Sequence, residues 1–162
     1  MTGVQTCALS IYEHKDHIAG LDEVKAFNYF NKMRMPVYAT PRVQEALKRE
    51  FAYIFAEDKY PGIPEIDVFT VTDELIKIKD IELLPIDVIH YRLPVKTYRI
   101  KDFTYITDAN YISEEEKEKI IQKIKQSNTQ VFSIGIASGV DVSYIQELKT
   151  ILPKLQFNEL HI

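Results

Sequence analysis

Apolar residues recur at helical spacing in the first third of the chain and give way to strand-like runs after it. Over 21–30, Leu21, Val24, Phe27 and Tyr29/Phe30 lie three or four positions apart, with Asp22 and Glu23 in the first turn, and this predicts a helix. Pro36-Val37-Tyr38-Ala39 reads as a short buried strand. Thr40 then suits an N-cap and Pro41 the first helical position of a helix whose stripe is Val43, Leu47, Phe51 and Ile54. The proline and glycine content of 59–64 marks a loop. Strands follow at Ile66, Val68 and Val71, at 75–78 and at 81–90, with a turn at Lys79-Asp80. Residues 97–100 and 103–107 predict a hairpin across Lys101-Asp102. Ser113-Glu114-Glu115-Glu116 is a capping box for a helix to about 126, its acidic run a solvated helix start. A buried strand at 131–136, a helix at 142–152 and a last strand at 155–162 complete the pattern.

Composition narrows the class. At 162 residues the chain is long enough to bury one core, and 46% hydrophobic with 27% charged residues is ordinary for a globular protein. A net charge of −4 argues against a basic nucleic-acid surface, so nucleic acid is not an expected partner. It leaves room for a phosphate substrate, because a bound metal supplies local positive charge. The single cysteine, Cys7, allows no disulfide within the chain, and a reducing cytoplasm is the simplest compartment. No run approaches the ~20 apolar residues of a membrane span, and 8–12 is too short for a signal-peptide core.

The densest chemistry lies in Tyr12-Glu13-His14-Lys15-Asp16-His17-Ile18-Ala19-Gly20. Two imidazoles and a carboxylate within four residues suit a metal site, since both donors bind zinc and similar ions. On an extended backbone His14 and Asp16 would project together, with His17 added from the following turn; a solvated polar loop is the bland alternative. The segment resembles the signature of the metallo-β-lactamase-fold hydrolases, H-x-H-x-D-H followed by a nearby glycine. His14, Asp16 and His17 match; the first histidine of the pattern falls at position 12, which is tyrosine.

The resemblance implies an α/β fold, a partial αββα sandwich truncated at both ends. It also implies two divalent ions, zinc or manganese. His14 and His90, the latter at the end of the strand Ile86-Asp87-Val88-Ile89-His90, would hold the first ion. Asp16 and His17 would hold the second, and Asp108, in Thr107-Asp108-Ala109, would bridge the two. Asp16 would also orient the attacking water, which makes it the catalytic candidate. Taken alone, His90 reads as a structural histidine and Asp108 as a turn aspartate. Glu13 and Lys15 would face away from the ligands, and Tyr91 and Arg92 could touch substrate or merely close a loop. His161 is a poor match to the family's last histidine.

The likeness covers about 12–126 and favours the branch of phosphoribosyl cyclic phosphodiesterases, with a small phosphorylated substrate. Residues 1–11 resemble a translated DNA-sequencing adapter, so they are expected to be a non-native leader, with Tyr12 as a junction codon that once encoded histidine. Residues 127–162 depart from the family's continuation. They read as a β-α-β piece, either of the same domain or of chimeric origin, with a weak likeness to the end of a copper-homeostasis TIM barrel. The expected function is metal-dependent hydrolysis of phosphodiesters, impaired in this chain. An RNA- or DNA-processing nuclease of the same fold and a metal-free binding module are the alternatives.

Overall fold

The computed structural model describes residues 7–101, 103–106, 108, 109 and 111–119, and the backbone of 133–136 and 156–159. The chain divides into two compact units, Met1–Thr72 and Asp73–Ile162.

The first unit holds a three-stranded parallel sheet in the order β1 (Ala8–Leu9), β2 (Met35–Ala39), β3 (Ile66–Thr70). Parallel neighbours need crossovers, and here helices supply them. After β1 come a one-turn helix α1 (Lys15–Ile18), a 3-10 turn (Ala19–Glu23) and α2 (Val24–Asn31). Between β2 and β3 come α3 (Pro41–Glu50) and α4 (Ala52–Phe55). The core gathers Ile18, Leu21, Val24, Met35, Val37, Ala39, Val43, Leu47, Phe51, Ile54 and Ile66. Removing such side chains from water is worth roughly 1.5–3 kcal/mol each, which is why one stripe per helix suffices.

The stripe expected on the second helix is buried from end to end, at Val43, Leu47, Phe51 and Ile54. Its start is also as expected: Val43 N donates to the Thr40 hydroxyl at 3.5 Å, with Pro41 at the first position. The helix is interrupted at Phe51 (φ −122°, ψ 43°), so the stripe continues on a separate turn. The stripe of the first helix behaves differently. Leu21 and Val24 enter the core, but Phe27, Tyr29 and Phe30 are exposed, the last two at 79% and 78%. The helix expected over 21–30 is present from Val24, its first residues forming the 3-10 turn, and it ends at Asn31, where Lys32 turns left-handed (φ 49°) and leads the chain into β2. Asn28 secures that exit. Its Nδ2 donates to Met33 O (2.9 Å) and Glu65 O (2.8 Å), and its Oδ1 accepts from Glu65 N (2.9 Å).

The second unit is a six-stranded sheet in the order β4 (Ile76–Ile78), β5 (Ile81–His90), β6 (Leu93–Ile100), β7 (Phe103–Tyr105), β8 (Ser133–Ile136), β9 (Gln156–Glu159). The first four strands form antiparallel hairpins, and β7, β8 and β9 are parallel to one another. The hairpin turns each use a left-handed residue other than glycine: Lys79, Tyr91 and Lys101. The hairpin expected from 97–100 and 103–107 is present, with β7 described over Phe103–Tyr105, but β6 begins earlier, at Leu93, because it pairs with β5 along its whole length. The expected turn residue Asp102 and the strand end Thr107 lie outside the described residues, as does the expected helix at 142–152.

β5 outruns β4, which pairs with it only as far as Leu83. Pro85, which has no N–H to offer, follows that point. Farther along, Asp87 N donates to Glu116 Oε2 (3.2 Å), and Ile89 exchanges two bonds with Tyr111 (2.9 and 3.2 Å). This accounting explains a departure from the expected capping box. Ser113 does cap the helical segment 114–119, accepting from Glu116 N at 3.2 Å. The Glu116 carboxylate, however, goes to the β5 backbone and to Lys119 (2.5 Å). The acidic run is accordingly not solvated throughout: Glu116 and Lys117 are buried. Lys117 pairs with Glu114 at 2.7 Å.

Lys96 is a charge placed in this sheet, its side chain 9% exposed, held by Asp73 (2.5 Å) and Asp87 (2.8 Å). Burial works against the ammonium, but the bonds to Asp73 and Asp87 hold its pKa above the ordinary 10.5. The Lys96 hydrogen bond and charge hold Asp73 below its ordinary 3.8. Among the described residues no helix is long and apolar enough to cross a membrane.

Two stability outcomes follow. Asn28→Ala should lower unfolding free energy by about 1–3 kcal/mol, read as a lower urea midpoint at unchanged slope. A depressed carboxylate stabilises above its unfolded pKa and loses that contribution as pH falls through the folded value. Urea midpoints of the parent chain should therefore drop as pH falls below about 4. In Lys96→Met that acid limb should be flatter.

Candidate metal centre

In the first unit the chain leaves β1, buries Ser10, Ile11 and Tyr12, and turns into α1 at His14. His14 is the N-cap residue, with extended backbone (φ −67°, ψ 148°), and its side chain makes no capping bond. Asp16 and His17 lie inside the helical turn, where His17 N donates to His14 O at 3.0 Å. The extended alternation that would have aimed His14 and Asp16 together is therefore absent. A tight helical turn gathers the donors instead.

The gathering is close. His17 Nε2 lies 3.3 Å from Asp16 Oδ2. The Tyr12 ring lies 4.5 Å from both the His14 and the His17 ring. Tyr12 is 1% exposed, so the position that the resemblance assigns to a histidine is filled by a buried phenol wedged against the two imidazoles. The carboxylate and imidazole in contact, Asp16 and His17, are donors that suit a divalent cation. Asp16 is mostly exposed, which keeps one donor open to solvent and substrate.

The two intervening residues point elsewhere, as expected. Glu13 Oε1 accepts from Arg42 Nε (2.6 Å) and Nη2 (2.5 Å), and Lys15 Nζ lies 3.7 Å from Glu50 Oε2. Beside the 3-10 turn and α2 lies a cleft of about 460 Å³, bordered by Asp22, Lys25, Tyr53, Asp58 and Tyr60. The Tyr53 hydroxyl donates to Asp22, and burial together with that carboxylate pushes the phenol up to about 12. The local signal for this cleft is slight, a Pro- and Gly-containing loop next to tyrosines.

In the second unit His90 is the last residue of β5, paired with Leu93 across a turn in which Tyr91 is left-handed (φ 58°) and exposed. The His90 and Tyr91 rings meet edge to face at 5.5 Å. Asp108 also has a left-handed backbone (φ 55°), a conformation aspartate tolerates better than most residues. It is flanked by buried Ile106 and Ala109. The Ile89–Tyr111 bridge lies one residue before His90 and three after Asp108, so the unit draws the two donor-bearing segments together. His161, the poor match, lies outside the described residues.

Comparisons with known proteins bear on this arrangement. The family described as the beta-lactamase superfamily domain matches residues 7–142. An octanoyltransferase of Porphyromonas gingivalis (strain ATCC BAA-308 / W83) is 30% identical over 111 residues, which are 68% of this chain and 22% of that protein. Among solved structures, a diphosphatase from the PhnP family superposes with a TM-score of 0.74 at 21% identity, over 96% of this chain and 61% of that one. The metallo-beta-lactamase fold protein YhfI from Bacillus subtilis gives 0.51 at 14% identity, over 84% and 52%. The chain thus spans less than two thirds of each of these relatives, and the structural likenesses establish the fold. With residues 7–142 of its 162 inside the family match, the chain belongs to the beta-lactamase superfamily.

Proposed function

We propose that this protein is a metal-dependent hydrolase of phosphate esters, with His14, Asp16 and His17 of the first unit and His90 and Asp108 of the second as the metal donors. The observation that carries the reading is the Asp16–His17 pair on one helical turn, a carboxylate 3.3 Å from an imidazole, with His14 as the N-cap of that turn. Family membership supports it, and so does a structural neighbour described as a diphosphatase. The octanoyltransferase match widens the range of chemistries within the family without favouring acyl transfer at this site.

Divalent cations, zinc or manganese, would supply Lewis acidity and acidify a water. The chain's own residues do the rest. Asp16, open to solvent, holds a cation and orients the attacking water by accepting its hydrogen bond. His17, largely enclosed, gives a fixed imidazole beside it. Asp108 presents its carboxylate from a constrained backbone, which limits the rearrangement needed on binding. The substrate class that fits is a small phosphorylated molecule, as in the phosphoribosyl cyclic phosphodiesterase-like branch. The net charge of −4 disfavours a nucleic-acid substrate, and a cytoplasmic location suits a chain whose only cysteine is unpaired.

One observation favours a second reading, a metal-free binding module: the Tyr12 ring occupies the side of the turn where another imidazole would serve. Calorimetric titration with Zn²⁺ separates the two. The hydrolase reading expects the parent chain to take up Zn²⁺, Asp16→Ala to lose that uptake and Tyr12→His to bind at least 10-fold more tightly. Zn²⁺ uptake by Tyr12→His alone would favour the module. No gain in Tyr12→His would remove position 12 from the ligand set. Asp108→Asn keeps a residue that accepts the left-handed backbone but removes the charge. It should lower the rate of hydrolysis of a chromogenic phosphodiester by at least ~10-fold, as chelation of the metal should.

A further inference from the structure

α1 is a single turn of four residues without a side-chain cap, and one turn of helix does not hold itself together in water. The donors on it must be held from outside. Ile18 anchors one end in the core and Tyr12 packs beneath the rings. Two further restraints come from one neighbouring helix. Arg42, the second residue of α3, directs two N–H groups onto Glu13 Oε1 at 2.6 and 2.5 Å. Glu50, the last residue of α3, sits 3.7 Å from Lys15 Nζ. The two residues that separate the donors, 13 and 15, are thus tied to opposite ends of one helix, about 12 Å apart along its axis.

α3 can serve as a splint because it is rigid. Its start is set by Thr40 and Pro41, and Val43, Ala46 and Leu47 bury its inner face. The two ties differ in strength. Lys15 is largely exposed and its contact is long, so that pair is worth little. Glu13 is only 17% exposed, and its contact is charge-assisted and short. Both Arg42 bonds fall on Oε1, leaving Oε2 buried without a hydrogen-bond partner among the described residues.

We propose that Arg42, acting through Glu13, is a positioning residue for the metal donors: it fixes the backbone between Tyr12 and His14 so that His14, Asp16 and His17 are presented together before a cation arrives. The inference rests on the hydrolase reading, since it concerns the same donors.

The test is Zn²⁺ calorimetry on the full chain for Arg42→Ala, Arg42→Lys, Glu13→Gln and the double variant Glu13→Gln/Arg42→Ala, with thermal melts in chelator. The same series is run in a Tyr12→His background. Arg42→Ala should weaken Zn²⁺ binding ~10–100-fold, the size of losses from groups that orient a ligand. Arg42→Lys should recover part of the loss, because an ammonium keeps the charge but not the paired N–H geometry. The double variant should be no weaker than Arg42→Ala, and the chelator melts should stay within a few degrees of the parent. If Arg42→Ala binds within twofold of the parent while Asp16→Ala loses the cation, the positioning role is overturned and the hydrolase reading stands. If Arg42→Ala and Arg42→Lys lose binding equally and both melt far below the parent, the pair is a folding contact and the proposal also falls. If only the Tyr12→His background takes up Zn²⁺, the hydrolase reading of the natural chain fails and the splint is still judged there. If neither background binds Zn²⁺, both fall.

Discussion

A backbone polar group removed from water must find a partner, and the segments that carry the donor residues are the ones least able to supply partners for themselves. α1 contains four residues. Asp108 and Ala109 lie in neither helix nor strand. Each is made rigid by something longer beside it. In the first unit that is α3, reaching across with Arg42 and Glu50. In the second it is β5, whose edge beyond Leu83 is closed by Glu116 and Tyr111 rather than by another strand. The same bonds that satisfy β5 bring the chain after Asp108 alongside the end of the strand where His90 sits. Meeting a backbone requirement and placing a candidate ligand are here one event.

This division explains what could be read from the residues alone. Periodic elements buried on one face were legible: α3 with its cap and stripe, β2, β3, and the hairpin of β6 and β7. Those patterns are local, and their cause is the burial of the residues that form them. What escaped was decided by partners distant in the chain. The exposure of Phe27, Tyr29 and Phe30 depends on where α2 stops and on Asn28 reaching Glu65. The fate of Glu116 depends on Pro85 and on the length of β4, neither of which a capping pattern contains. The early start of β6 depends on the length of β5.

For the candidate site the residue types were legible and the geometry was not. The donor motif stood out because imidazoles and carboxylates seldom crowd into four positions without a use. Its conformation could not be inferred, since a helical turn and an extended strand both bring some of the donors together. The wedge formed by Tyr12 could not be inferred either. A tyrosine at the position where the resemblance places a histidine reads as a missing ligand, yet its ring is buried and packs against both imidazoles. The ties from Arg42 and Glu50 connect residues about thirty positions apart, beyond the reach of any local pattern.

The turns of the second unit have an evolutionary consequence. Lys79, Tyr91 and Lys101 each bend left-handed at the rim of an antiparallel pair, a backbone state that costs an ordinary side chain roughly 1–2 kcal/mol. Asparagine would relieve much of that cost at any of the three. The scaffold therefore holds an untapped margin at Lys79 and Lys101, at the end of the β5–β6 ladder opposite His90. A lineage whose site acquired a destabilising change could recover its thermal tolerance at these corners without touching the donors.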